Sequence, residues 1–177
     1  MQSYQQLHQV VIKNSVGNNW KSAKQEWIVE PMIEEDDTLS QNCICGHPQL
    51  RYIYTIRNIN NQNVLSPIGD ICIRQFNNAV MQDTADALLK LSRLCSGVAN
   101  KEYIKLDSKY FSRKFLKYLY DNSVFPSTIY NNGSGYNDYK FLLKMFNKRK
   151  KPSKNEDKKI KASILNNIIP YARKHIR

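Results

Sequence analysis

Three of the four cysteines lie in two short segments whose residue types are those of a metal site. Cys43 and Cys45 are separated by one residue, Gly46 and His47 follow directly, and Cys72 lies further along the chain. Zinc prefers four thiolate or imidazole ligands in a tetrahedral arrangement. Glycine permits the tight backbone turn that points two sulfurs inward. The sequence therefore predicts a zinc site formed by Cys43, Cys45, His47 and Cys72.

The ligand pattern leaves alternatives. Asp70, two residues before Cys72, is a second candidate for the fourth ligand. Three reduced thiols in a small core without a metal would produce the same pattern. An iron–sulfur cluster is disfavoured because only three cysteines lie close together in the sequence. The signatures of zinc deaminases and metalloproteases are absent, so we expect a closed structural site rather than a catalytic one.

A β-hairpin must return the chain from the first cysteine pair to Cys72. Residues 52–57 alternate between two faces and are rich in aromatic and branched side chains, which is typical of a strand. Residues 60–63 supply turn formers, and residues 64–68 form the second predicted strand. A helix should open at Cys72, where the helix dipole and free amides stabilise a thiolate.

These segments carry a resemblance. The segment 43–47 (Cys-Ile-Cys-Gly-His), a strand ending at 56–58 (Ile-Arg-Asn), and the pattern Gly-x-x-Cys-Ile-x-x-Phe over 69–76 resemble a module of small uncharacterised proteins of phages and large DNA viruses. The pattern is also similar to treble-clef zinc folds, with their knuckle, hairpin and helix. The resemblance covers about residues 42–77 and implies a viral or mobile-element origin. It assigns no activity.

The chain before the module should contribute a short helix and an edge strand. Residues 1–17 are polar with one short apolar run, which predicts a strand or a loosely held arm. Asn18 or Asn19 can cap a helix over residues 20–26. A strand follows over residues 27–33, with Pro31 at an edge or a bulge because proline donates no amide hydrogen bond.

From residue 80 onward, apolar residues recur at spacings of three and four, which predicts helices. Asp83 should cap the first helix, which carries Cys95 as a small packing residue and ends near Gly97. Asp107 or Ser108 should cap the second helix. A flexible loop over residues 131–135 should precede the third, and Pro170 should kink or end the last.

The net charge of +12 is concentrated at the C-terminal end. Residues 137–177 contain 13 Lys and Arg against 3 Asp and Glu, whereas residues 1–98 contain 8 against 9. Such asymmetry indicates an anionic partner, most often nucleic acid. A lysine-rich surface that only keeps the protein in solution is the alternative.

The candidate nucleic-acid contacts form one basic segment. Lysines at this density bind phosphates without reading sequence. Neighbouring aromatic side chains can stack on unpaired bases, although at helical spacing they more often belong to a core. The candidates are Lys140, Lys144, Lys148, Arg149, Lys150, Lys151, Lys154, Lys158 and Lys159.

The sequence thus predicts an α+β protein in which a small zinc-stabilised, treble-clef-like hairpin module packs against a helical C-terminal part. The expected domains are residues 1–79, with the module at 42–77, and residues 80–177. No signal peptide and no membrane span is recognisable, so the expected location is the cytoplasm of a host cell, where thiols stay reduced. The sequence does not determine the oligomeric state.

Two function classes remain open. The first is a non-enzymatic, zinc-containing nucleic-acid-binding protein of phage or mobile-element origin, which binds nucleic acid directly or a host protein that holds it. The second is an anti-CRISPR-like inhibitor that binds a bacterial defence nuclease, in which the acidic residues 34–37 mimic phosphates. No nucleophile pair, general base or phosphate loop points to an enzyme.

Overall fold

The chain folds as an α+β protein, as the sequence predicts. The computed structural model describes residues 2–177, with side chains from Tyr4 onward. Within these residues a three-stranded antiparallel sheet is accompanied by helices, none of which is long and apolar enough to cross a membrane. The chain divides into two compact units, one extending to Leu89 and including Ile176 and Arg177, the other spanning Lys90–His175. The predicted domains stay a prediction, since compactness does not show that a unit folds alone.

The first unit contains the sheet and its flanking helices. A 3₁₀ turn, Lys24–Glu26, leads directly from the second helix into the first strand. Helix α4 begins in this unit and ends in the second. The elements are α1 (Gln2–Lys13), α2 (Trp20–Ala23), β1 (Trp27–Glu35), β2 (Tyr52–Asn58), β3 (Val64–Ile68), α3 (Asp70–Gln75) and α4 (Ala79–Ala99).

The sheet has the order β1-β2-β3, and both predicted hairpin strands are confirmed. The pairing of β1 with β2 shifts register between Val29 and Ile33. Pro31 lies inside this bulge on an edge strand, which confirms its predicted position and follows from its missing amide hydrogen. Ile56 and Tyr54 of the central strand are almost fully buried and anchor the core of the unit.

The prediction of a strand or loose arm at the N-terminus is wrong, because these residues form α1. Leu7 and Val11, one helical turn apart, are both fully buried. The ring of His8, on the same helix, stacks on Trp20 with centroids 3.8 Å apart. Trp20 in turn contacts Phe76 at 5.3 Å, which ties α1 and α2 to the end of α3.

The second unit is helical. A 3₁₀ turn, Ile129–Asn131, precedes the third predicted helix, and a π-helical turn, Ile164–Ile168, precedes the last. Pro170 is the second residue of the helix that follows the π-helical turn, a position where the missing amide of proline leaves no helical hydrogen bond unmade. The predicted interruption of the last helix therefore occurs at the π-helical turn, just before Pro170. Besides the end of α4, the helices are α5 (Arg113–Asp121), α6 (Gly135–Phe146), α7 (Lys154–Ser163) and α8 (Ile169–Lys174).

Two predicted helix starts are wrong because other residues supply the caps. Helix α4 begins four residues before Asp83, since the Asn78 side chain accepts hydrogen bonds from the amides of residues 80 and 81. Helix α5 begins after Ser112, whose hydroxyl accepts from the Phe115 amide, rather than after Asp107 or Ser108. Equivalent cap residues recur nearby in the sequence, so composition alone does not choose between them.

The predicted flexible loop at 131–135 is a hydrogen-bonded turn. Asn131 is 2% exposed, and its amide group donates to the Pro126 carbonyl and the Asp138 carboxylate. Its side-chain oxygen accepts from the amides of Thr128 and Ser134. One buried asparagine therefore holds the turn that opens α6.

A buried carboxylate fixes the far end of the hairpin. Glu26 is 7% exposed and accepts hydrogen bonds from the amides of Val16 and Gly17, at 2.8 and 2.6 Å, and from the Asn58 side chain at 2.8 Å. Asn58, fully buried, also accepts from the amide of Asn60 in the hairpin turn. Burial disfavours ionisation of Glu26, but these donors outweigh it, so its pKa is lowered from the ordinary value.

We expect Glu26→Gln to lower the free energy of unfolding by about 2 kcal/mol, because its amide group would face amide donors that need an acceptor. Urea unfolding followed by tryptophan fluorescence measures the effect, since Trp27 is fully buried. Glu34→Gln, at an exposed position, is the matched control and should change stability by less than about 0.5 kcal/mol. Equal stability of the two variants would contradict this role for Glu26.

The same carboxylate predicts a pH dependence. Because the pKa of Glu26 is lower in the folded protein than its ordinary value of 4.5, the unfolded chain takes up the proton first as the pH falls. The stabilisation by the ionised Glu26 carboxylate is therefore complete above pH 4.5 and is lost as the pH falls through the lower pKa of the folded protein. The stability difference between wild type and Glu26→Gln should shrink on acidification, and a difference that grows would contradict the assignment.

Candidate metal centre

The first two cysteines lie in a tight knuckle closed by backbone hydrogen bonds. The amide of Gly46 donates to the Cys43 carbonyl at 2.7 Å, and the Cys43 amide donates to the His47 carbonyl at 2.8 Å. Gly46 has φ of +89°, a conformation that side chains with a Cβ rarely adopt. The glycine thus serves the purpose that the sequence predicts for it.

The hairpin returns the third cysteine to this knuckle. Cys72 is the third residue of α3, whose N-cap is Gly69. The Ile44 amide donates to the Pro67 carbonyl at 2.9 Å, which fixes the knuckle to the end of β3. The Gly69 amide lies 3.4 Å from the sulfur of Cys43 and donates to it. The predicted position of Cys72 in the first turn of a helix is confirmed.

The three sulfurs form one buried group. The Sγ atoms of Cys43, Cys45 and Cys72 all lie within 4.8 Å of one another, and those of Cys43 and Cys72 are 3.5 Å apart. The cysteines are 3–5% exposed and are not paired in disulfides. Tetrahedral coordination with metal–sulfur bonds of about 2.3 Å places two sulfurs roughly 3.8 Å apart. The donor set and its spacing therefore fit a metal ion.

The thiols influence one another's ionisation. The hydrogen bond between the two sulfurs lowers the pKa of the Cys43 thiol, and the same contact together with burial raises the pKa of the Cys72 thiol. The cause is that one thiolate can accept a hydrogen bond from its neighbour, whereas two adjacent buried thiolates repel each other. A cation between them removes that conflict, since metal coordination deprotonates thiols outright.

A cavity of about 180 Å³ adjoins the sulfurs, and it contains both candidates for the fourth ligand. His47 and Asp70 line this cavity, as does Tyr4 from α1. Both candidates are exposed, and among the described side chains neither joins the three sulfurs within 4.8 Å. The choice between them stays a prediction. Tyr4 is a lining residue that the sequence did not reveal, because helix α1 was not predicted.

The other histidines and Cys95 have different surroundings. His8 stacks on Trp20, and the His175 ring stacks on Tyr171 with centroids 4.0 Å apart. Cys95 is half-buried in α4 and is not part of the sulfur group.

The acidic residues 34–37 are largely engaged within the protein. Asp36 accepts hydrogen bonds from the amides of Thr38 and Ser40, at 2.9 and 2.8 Å, and its pKa is lowered by the hydroxyl and amide donors of these residues. The Arg51 guanidinium lies 3.1 Å from Glu35 and 3.3 Å from Asp37. These contacts hold the end of β1 and the turn that follows it, before the knuckle.

The predicted nucleic-acid contacts fall into distinct environments. Lys140 lies over the Tyr136 ring, and Lys159 pairs with Asp138 at 3.2 Å and lies over the Phe141 ring. Lys148 pairs with Glu156 at 2.7 Å. The remaining candidates are exposed and form no ion pair within residues 4–177: Lys144, Arg149, Lys150, Lys151, Lys154 and Lys158.

Comparisons with known proteins give no relative for this chain. No protein-family model matches it, and neither a curated protein nor a solved structure does.

We expect Cys72→Ala to abolish metal binding, because two sulfurs with one weaker donor do not complete a tetrahedral site. Elemental mass spectrometry of the purified wild type should give about one metal ion per chain and of this variant almost none. Cys95→Ala, the matched control, should retain the metal. A chelator should lower the Tm of the wild type by more than about 5 °C. Equal metal content in both variants would contradict the site.

The fourth ligand is tested by a second pair of variants. If His47 supplies it, His47→Ala should weaken metal affinity at least about tenfold, because an exposed water replaces the imidazole. Asp70→Ala should leave the affinity nearly unchanged. Competition with a chromophoric chelator measures both. The opposite ranking would assign the position to Asp70.

Proposed function

We propose that this chain is a non-enzymatic, zinc-containing nucleic-acid-binding protein of phage or mobile-element origin that acts in the cytoplasm of a host cell. Zinc supports the fold, and the basic C-terminal segment binds phosphates. The proposal is carried by one observation: Arg149, Lys150 and Lys151 are exposed, adjacent, and form no ion pair within the described side chains. Cations without carboxylate partners keep their full attraction for phosphates.

Zinc is the metal that this donor set suits best. Three thiolates with one imidazole are typical of structural zinc, a carboxylate oxygen can also ligate zinc, and zinc undergoes no redox change. The knuckle 43–47, the hairpin and α3 follow one another in the order of a treble clef, which supports the resemblance to that fold. With the sulfurs almost fully buried, the metal contributes to folding free energy rather than to chemistry.

The charge distribution supports a polyanionic partner. Residues 137–177 carry 13 Lys and Arg against 3 Asp and Glu, and those three acids all pair with lysines of the same segment. The contact would be with the phosphate backbone, because lysine side chains on an exposed surface carry no base-reading geometry. The expected affinity is therefore independent of sequence and strongly dependent on salt.

We expect the protein to bind fluorescent oligonucleotides with an affinity that falls steeply between about 50 and 200 mM salt, because counterions are released on binding. Fluorescence anisotropy measures the affinity at each salt concentration. Replacing Arg149, Lys150 and Lys151 with Gln should reduce both the affinity and the magnitude of the salt slope.

The control replaces the exposed residues Arg93, Lys13 and Lys21 with Gln, which changes the charge by the same amount outside the basic segment. This control should retain most of the affinity. No binding of either DNA or RNA at the lowest salt concentration would refute the proposal. Co-purification with a host nuclease after nucleic acid has been digested would favour the inhibitor hypothesis instead.

A further inference from the structure

The second unit contains a groove that the sequence did not lead us to expect. Its volume is about 620 Å³, within the range of pockets that hold small ligands. One wall is the connection between α4 and α5, with Tyr103 and Lys105, and the other is the connection between α6 and α7. Met145 and Ile160, both almost fully buried, contribute apolar lining.

The groove is rich in cations. Two of its lysines have partners in the same unit: Lys148 pairs with Glu156, and Lys161 pairs with Asp157 at 2.7 Å. The other basic lining residues are exposed and form no ion pair in the part of the chain that the structure describes. These residues are Lys105, Arg149, Lys150 and Lys151.

An aromatic ring stands among these cations. Tyr103, in the connection between α4 and α5, lines the groove and is 57% exposed. The Lys161 ammonium lies 5.1 Å from the centre of its ring, a cation–π contact that favours this position of the side chain. Phe146, half-buried, adds a second aromatic side chain to the lining. An exposed aromatic ring can stack on a nucleobase, and neighbouring cations without carboxylate partners can bind the adjoining phosphates.

We propose that this groove binds single-stranded nucleic acid, with a base stacked on Tyr103 and the adjoining phosphates at Lys105 and residues 149–151. The inference rests on the proposed function and narrows it to one ligand class and one surface. The apolar lining of the groove favours contact with the face of a nucleobase, and the cations favour contact with the phosphate backbone. A duplex presents its phosphates and the edges of its bases, but the faces of its internal bases are stacked on one another and cannot reach the ring.

Tyrosine variants test the stacking contact. Tyr103→Ala should weaken binding of a single strand of about 15 nucleotides by about tenfold, whereas Tyr103→Phe should retain the affinity because it keeps the ring. A blunt duplex should be bound more weakly than the single strand and should lose little affinity in Tyr103→Ala. Tyr130→Ala, which removes an 86% exposed ring outside the groove, is the control and should change neither affinity.

Charge variants test the surface. Replacing Arg149, Lys150 and Lys151 with Gln should reduce the magnitude of the single-strand salt slope by about 2, because each phosphate that is no longer neutralised lowers it by about 0.7. Replacing Lys144, Lys154 and Lys158 removes the same charge from the same basic segment but outside the groove. That second variant should reduce the slope by less.

The outcomes separate the two proposals. If the protein binds nucleic acid but Tyr103→Ala leaves single-strand affinity unchanged, or if duplex binds as tightly as single strand, the groove inference is overturned and the proposed function stands. Equal effects of the two charge variants would also overturn it, since they would spread the binding over the whole segment. Binding to neither nucleic acid would overturn both.

Discussion

The first unit depends on how three buried sulfurs are accommodated at one point. Cys43, Cys45 and Cys72 converge from a knuckle and a helix start, and the shared hydrogen bond between two of them moves their pKa values in opposite directions. As thiols they form a small, weakly bonded cluster. As thiolates they repel one another unless a cation lies between them. A coordinated cation would replace this repulsion with a metal bridge between residues 29 positions apart.

Different interactions fix the two ends of the hairpin between these cysteines. Near the knuckle, the Ile44 amide and the Cys43 sulfur bind the chain at Pro67 and Gly69. At the turn, Asn58 links the backbone to the buried Glu26 carboxylate. We expect the sulfur end to respond to chelators and oxidation, and the carboxylate end to respond to acid. The strand register between them is held by the buried side chains of β2.

The sequence predicts those features that depend on near neighbours. The knuckle, both hairpin strands, the bulge at Pro31 and the position of Cys72 follow from spacing and turn chemistry over a few residues. Helix α1 was missed because only Leu7 and Val11 mark its buried face among polar residues. Glu26 resembles a surface glutamate in sequence, and only its three donors, from residues 16, 17 and 58, distinguish it. The groove was missed because Tyr103 and Lys105 lie more than forty residues from the basic run at 148–151.

Under the proposed function the two units have different roles, one of structural support and one of contact with the partner. Buried sulfurs hold the hairpin unit, and the exposed cations of the helical unit remain available to a polyanion. The central claim is the coordination itself, and X-ray absorption at the metal edge of the purified protein tests it most directly. The account predicts three sulfur ligands at about 2.3 Å and one nitrogen or oxygen at about 2.0–2.1 Å. Absence of a stoichiometric metal, or a shell composed only of nitrogen and oxygen, would contradict it.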